Sequence, residues 1–214
     1  MGSSLSKENC QQVILVGLEK SGKSFFMKKL SDIQQERLEK KHDLNEDNVH
    51  EATRGFNILN MKWNEFHFDI WDLGGDPTTR TYWPTFYRKI QFNIVVFFID
   101  LFNEKSHTTA LKELLILVNQ EELKLARFYI IFNLNCDEKK KLTVNDKSEE
   151  YREFAESRME ELRQCPIHDY ESRVFWDVVD ISNLKSGEIK TTDLLNKCLL
   201  GNKESKLPIW HVQS

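Results

Sequence analysis

The chain is poor in cysteine. It has four in 214 residues, Cys10, Cys136, Cys165 and Cys198, and no two stand in C-x-x-C register. That excludes a disulfide framework or a zinc ribbon and fits a reduced, cytoplasmic setting. The six histidines show no metal-ligand spacing. There is no basic excess: 30 Lys and Arg stand against 34 Asp and Glu, a formal net charge of −4. The electrostatic footprint of a nucleic-acid binder is therefore missing. The run Lys139-Lys140-Lys141 is short, flanked by acids, and reads as solvated loop. Long apolar runs are missing too. The best, Phe92 to Phe102, is broken by Asn93 and Asp100, so no membrane-spanning helix is expected. The first residues lack the apolar region of a secretory signal, and the final four, His211 to Ser214, form no prenylation box. No internal repeat, low-complexity tract or dividing linker is visible.

What is present suits one domain with a full core, since 40% of residues are hydrophobic. Strand-like and helix-like segments alternate. Apolar runs at Val13–Val16, Ile94–Ile99, Arg127–Leu134 and Val174–Ile181 read as strands. Two shorter strands, Gly55–Asn60 and Glu65–Trp71, flank the four residues Met61 to Asn64, which suit a hairpin. Helical periodicity follows Phe26, Leu30, Ile33 and Leu38, then Thr79–Lys89, then Leu111, Leu114, Leu115 and Val118. It returns over Tyr151–Leu162 and Thr191–Leu200. The order βαββαβαβαβα predicts a mostly parallel six-stranded α/β sheet with one antiparallel edge strand and helices on both faces.

The segment Gly17-Leu18-Glu19-Lys20-Ser21-Gly22-Lys23-Ser24 fits G-x-x-x-x-G-K-[ST] and lies between a predicted strand and a predicted helix. That is the context a phosphate-binding loop needs. Its backbone N–H groups and the helix N-terminus favour an anion. Lys23 can reach β- and γ-phosphates, and the Ser24 hydroxyl can ligate Mg²⁺. Farther on, Trp71-Asp72-Leu73-Gly74-Gly75 ends another strand. Asp72 there can hold Mg²⁺ through water, and the Gly75 N–H can meet a γ-phosphate. Thr53, in Thr53-Arg54-Gly55-Phe56-Asn57, offers a hydroxyl to complete the metal shell.

Taken together, these motifs resemble the Arf-like branch of the small GTPases, from about Gln12 to Leu200. The resemblance implies a single P-loop GTPase domain over residues 12–201, preceded by an N-terminal segment, 1–11, and followed by a tail, 202–214. It implies GTP and GDP as ligands with Mg²⁺, and a first switch at Thr53–Asn57. Effectors would meet the aromatic positions Phe56, Trp71 and Phe86. An exchange factor and a GTPase-activating protein would act on it. Ser182-Asn183-Leu184 matches the last guanine loop. Met1-Gly2-Ser3-Ser4-Leu5-Ser6 fits the N-myristoylation pattern, so a peripheral, weak attachment to membrane through Gly2 is expected.

Three departures matter. Asp76 stands where the family has the glutamine that orients the attacking water. A carboxylate cannot donate a hydrogen bond and repels a polyanion, so slow or negligible hydrolysis is expected. In the base-recognition segment, Asn133-Leu134-Asn135-Cys136-Asp137, aligning Asp137 with the family aspartate puts Leu134 at the family asparagine and Asn135 at the lysine. On that alignment Asn133 substitutes only through a backbone shift, and guanine affinity falls below the family norm. Finally, 29 positions separate Ser24 from Thr53, a long and charged first switch. The leading expectation is a GTP-binding switch. The rival is a non-hydrolysing pseudo-GTPase that acts as a protein-interaction module. A phosphoryl-transferring kinase is a weaker third, for want of an arginine cluster.

Overall fold

The computed structural model describes residues 10–39, 55–134 and 148–201. They form a six-stranded sheet in the order β2-β3-β1-β4-β5-β6. The strands are β1 Cys10–Gly17, β2 Phe56–Trp63, β3 Phe66–Leu73, β4 Ile94–Asp100, β5 Arg127–Asn133 and β6 Val174–Val179. Only β2 runs antiparallel to its neighbour, at one edge, and every other pairing is parallel. The expected fold class is the observed one.

The central strands are apolar throughout because both faces of the sheet are covered. Side chains alternate between two cores. Ile14, Val16, Phe97, Ile99, Ile130 and Phe132 face one core, with α4 (Glu104–Val118) and α5 (Ser148–Arg163). Val13, Leu15, Val96, Phe98 and Ile131 face the other, with α1 (Lys23–Glu39) and the C-terminal α7 (Ile189–Leu195). In α1, Phe26, Leu30 and Ile33 are buried as the periodicity predicts, whereas Leu38 in the last turn is 60% exposed.

Three local expectations are corrected. The hairpin turn is two residues, Asn64-Glu65, not four, because Met61 and Trp63 are strand residues buried in the core. Asn64 takes φ 54°, the left-handed conformation that asparagine tolerates best among non-glycine residues. The helix expected over Thr79–Lys89 is two short ones, α2 Pro77–Arg80 and α3 Trp83–Tyr87. Each has a proline in its first turn, where a missing N–H costs nothing, and Pro84 therefore restarts the helix. The closing helix gives way to a π-type turn, Asn196–Leu200. One short helix, α6 Tyr170–Arg173, went unforeseen. It places the buried Arg173 guanidinium on the carbonyls of Leu123, Ala126 and His168.

Candidate functional site

The predicted motifs converge at the carboxyl ends of β1, β3, β5 and β6, the rim where open α/β sheets bind ligands. The phosphate loop leaves β1 and enters α1. Within it Lys20 holds φ 62°, a conformation that a side chain bears at a cost of about 1–2 kcal/mol. Lys23, 6% exposed, folds back under the loop and donates to Gly17 O at 3.0 Å and Leu18 O at 2.8 Å. Burial lowers its pKa to about 8, against the opposing pull of Asp72 and Glu19. Glu19 and Lys20 are exposed, while Ser21 is buried.

Asp72, fully buried near the end of β3, accepts from Ser24 Oγ at 2.6 Å. Mg²⁺ fits this donor pair, since a hydroxyl and a carboxylate are hard oxygen ligands. Among the described residues no group of three His, Cys, Asp or Glu side chains could enclose a metal. An ion here would have Ser24 and Asp72 from this part of the chain, with nucleotide phosphates and water to complete its shell. Thr53, the other predicted metal ligand, lies outside the described residues, as do Asn135, Asp137 and Gly2.

Gly75 is pressed against the phosphate loop. A Cβ there would overlap Gly17 O and lie 2.5 Å from Leu18 C and 2.6 Å from Lys23 Nζ. The segment after β3 thus begins close against the phosphate loop and its lysine. Asp76 is bonded within its own segment. Its carboxylate accepts from the amides of Thr78 and Thr79, at 3.0 Å each, and from the Thr79 hydroxyl. These bonds, the Thr79 hydroxyl first, hold its carboxyl below the usual range. Asp76 is the N-cap of α2.

Asn133 is the residue that the sequence alignment set aside. β5 is regular through Asn133, which pairs with Asp100 and Val179. Its Nδ2 donates to Ser21 O at 3.1 Å. A Cβ on Gly22 would overlap that amide. Leu134 instead turns into the core beside Phe132. The signal was the strand's own alternation: Phe132 and Leu134 share one face, so Asn133 must take the other, toward α1.

Ser182, Asn183 and Leu184 follow β6 in a 3-10 turn, Ile181–Asn183. Asp180 shapes it, accepting from Ser182 N at 2.9 Å, Ser182 Oγ at 2.6 Å and Asn183 Nδ2 at 2.8 Å. Leu184 N donates to Ile181 O at 3.2 Å. The turn borders the phosphate loop, since Ile181 Cδ1 lies 3.3 Å from a Cβ placed on Gly22.

The three aromatic positions form one cluster. Phe56 lies 5.7 Å from Trp71 and 5.2 Å from Phe86 between ring centroids, and Trp71 lies 6.3 Å from Phe86. Trp71 is pinned by Gln12, whose Oε1 accepts its Nε1–H at 2.9 Å. Phe56 is 48% exposed, with Ile58 and Tyr82 exposed as well. A cavity of about 350 Å³ beside the cluster is lined by Gly55, Thr79, Tyr82, Thr85 and Phe86.

A lysine-bearing phosphate loop, a strand-end aspartate on its serine and a glycine of the next segment on its lysine define a P-loop nucleotide-binding protein with the small-GTPase fold. The sequence profile of the ADP-ribosylation factor family matches residues 1–174, and the chain belongs to that family. ADP-ribosylation factor-like protein 1 of Saccharomyces cerevisiae is 26% identical over 122 residues, which span 57% of this chain and 59% of that protein. ADP-ribosylation factor-like protein 2 of Dictyostelium discoideum is 25% identical over 194 residues, 91% of this chain and 92% of that one. The solved Arl6 (BBS3) small GTPase of Trypanosoma brucei, with bound GppNp, superposes with a TM-score of 0.53 at 18% identity. The match covers 79% of this chain and 87% of that one.

Proposed function

We propose that this protein is a guanine-nucleotide switch that binds GTP or GDP with Mg²⁺ and hydrolyses GTP slowly. The observation that carries the slow step is the Asp76 carboxylate, committed to the Thr78 and Thr79 amides and the Thr79 hydroxyl. A carboxylate cannot donate a hydrogen bond, and this one is held by three donors of its own chain, so it is a poor group to orient an attacking water. Nucleotide binding is supported by Lys23 and the Ser24–Asp72 pair at the loop. Gly17 to Ser24, Thr53 and Gly75 would hold the phosphates and metal. Asn135, Asp137 and the Ser182–Leu184 turn would read the base. Effectors would dock on Phe56, Trp71 and Phe86, and an exchange factor and a GTPase-activating protein would set the bound nucleotide.

Membrane attachment would rest on a Gly2 myristate, weak and reversible by itself. Cys10 is a poor second acylation site. It begins β1 beside Asp69, and burial together with that carboxylate raises its thiol pKa. No helix among the described residues is long and apolar enough to cross a membrane. A cytoplasmic protein peripherally bound to membrane is the setting this reading requires.

Two measurements test it. Denaturing the purified protein should release guanine nucleotide, and single-turnover hydrolysis by the wild type should be slow and be raised by Asp76→Gln. Fast wild-type hydrolysis, or ATP binding as tight as GTP, would overturn it. The same Asp76 geometry favours a second reading, a constitutively loaded, non-hydrolysing interaction module. Released nucleotide separates the two: GTP marks the module, GDP a working hydrolase.

A further inference from the structure

We infer that Gln12 and Asp69 are positioning residues for the aromatic docking surface, and that Asp69 acts on Trp71 through the Gln12 amide. This rests on the reading of Phe56, Trp71 and Phe86 as the surface that meets effectors, and it assigns what holds one of the three. At the β2 edge of the sheet, Gln12 of β1, Asp69 of β3 and Asn60 of β2 stand in one row, each directly opposite the next. Two positions along, on the same face, the row is Ile14, Trp71 and Ile58. A polar row thus adjoins the apolar row that carries the indole. Its members are bonded to one another. Gln12 Nε2 donates to Asp69 Oδ2 at 2.8 Å, and Asn60 Nδ2 donates to Asp69 Oδ1 at 2.6 Å. The relay ends on the indole, whose Nε1–H donates to Gln12 Oε1 at 2.9 Å.

Asp69 gives the relay its direction. Partial burial opposes its charge, but the donors Gln12, Asn60 and Cys10, with His67 nearby, hold its carboxyl below the usual range. It is therefore ionised at neutral pH, and an ionised carboxylate only accepts. The Gln12 amide must turn its NH₂ to Asp69 and its oxygen to the indole. Without that carboxylate the amide is free to present its NH₂ to Trp71, donor against donor. Trp71 in turn packs on Phe56, Phe86 and Phe92, so a turned indole disturbs the whole cluster. An aromatic anchor already fixed in place spares a partner the cost of ordering it.

NMR of the full chain, with nitrogen-labelled tryptophan, tests this. The Trp71 indole signal is assigned by its loss in Trp71→Phe, and its hydrogen exchange is read in nucleotide-free, GDP-loaded and GTP-analogue-loaded protein. The indole should be protected in at least one form. In that form Gln12→Leu should raise its exchange roughly three- to tenfold, and Asp69→Ala should raise it by a smaller factor, about twofold. The paired substitution Gln12→Glu with Asp69→Asn moves the charge along the relay, yet keeps an acceptor for the indole and a donor between β1 and β3. It should restore protection, whereas Gln12→Glu alone sets two carboxylates together and should not. Amide exchange in β4 and β5 reports whether each variant is folded. A fast-exchanging indole in every form, an Asp69→Ala protein with the wild-type indole signal and exchange, or a paired variant no better than Gln12→Glu alone overturns the inference. None of these measurements needs an effector. Should Phe56→Ala leave effector binding intact, the docking reading fails, and the relay still stands or falls on the indole.

Discussion

The side-chain amide of Asn133 donates to the backbone carbonyl of Ser21, 112 positions away in sequence, at 3.1 Å. The end of β5 is thereby fixed to the loop that would hold the phosphates. Asn133 is 2% exposed and has no alternative partner in water for its donor. The end of β5 and the phosphate loop are thus mechanically joined.

Removing that amide leaves Ser21 O without its donor in a buried place. Asn133→Ala is expected to lower unfolding stability by about 1–3 kcal/mol and to weaken GTP and GDP alike. Urea denaturation and nucleotide titration of the same preparation check this. Unchanged affinity with lowered stability would assign Asn133 a purely structural part.

Gly75 has no room for a side chain. Gly75→Ala sets a methyl against the Gly17 carbonyl and the Lys23 ammonium, an overpacking worth about 1–3 kcal/mol. The second switch should lift from the phosphate loop, which hydrogen exchange at residues 74–80 would register. An alanine at Gly187 meets open space and bears only the backbone strain of its φ of 78°. It should leave that exchange unchanged.

How much of this was legible depended on whether a residue's role is set by short-range spacing. Four of the eight glycines, Gly17, Gly22, Gly74 and Gly75, fall in two motifs, and these located the loop and Asp72 directly. The sheet followed from apolar runs such as Ile94–Ile99, which need cover on both faces. The partner chosen by Asp76 was not legible, because a carboxylate after Gly-Gly can face a ligand or its own backbone equally well in sequence. Only the Asp-Pro-Thr-Thr order, a cap followed by a first-turn proline, hinted at the second outcome. Asn133 was missed because alignment on Asp137 outweighed strand alternation. Arg80 meeting Glu113 joins two helices across 33 positions, a distance at which no local pattern operates.

The buried Lys23 sets a pH signature. Its pKa, about 8 in the folded chain against 10.5 for the free group, means the unfolded state binds more protons between those values. The lysine's penalty on stability is therefore full below pH 8 and relieved as pH rises toward 10.5. A polyphosphate placed against Lys23 restores its charge. GTP binding near pH 8.5 should take up a fraction of one proton, and near pH 7 almost none from this group. Calorimetry in buffers of differing ionisation enthalpy reads the uptake directly. Lys23→Arg, whose charge persists across this range, should abolish it.

The Ser24–Asp72 pair carries the metal dependence. With 2.6 Å between Ser24 Oγ and Asp72 Oδ2, the hydroxyl and carboxylate already stand together in the way a shared ion requires. Ser24→Ala removes a direct donor, and Asp72→Asn removes the charge that draws the ion in. Each should cut the gain in GTP affinity given by millimolar Mg²⁺ by roughly 10- to 100-fold. Affinity measured in excess chelator should change far less, since Lys23 and the loop amides act without the ion. Asp72→Asn also keeps an acceptor for Ser24, so a loss seen there reports charge rather than the broken hydrogen bond. Were both variants to retain the full Mg²⁺ response, the metal would have to be held by other oxygens, and the pairing of β3 with the phosphate loop would serve folding alone.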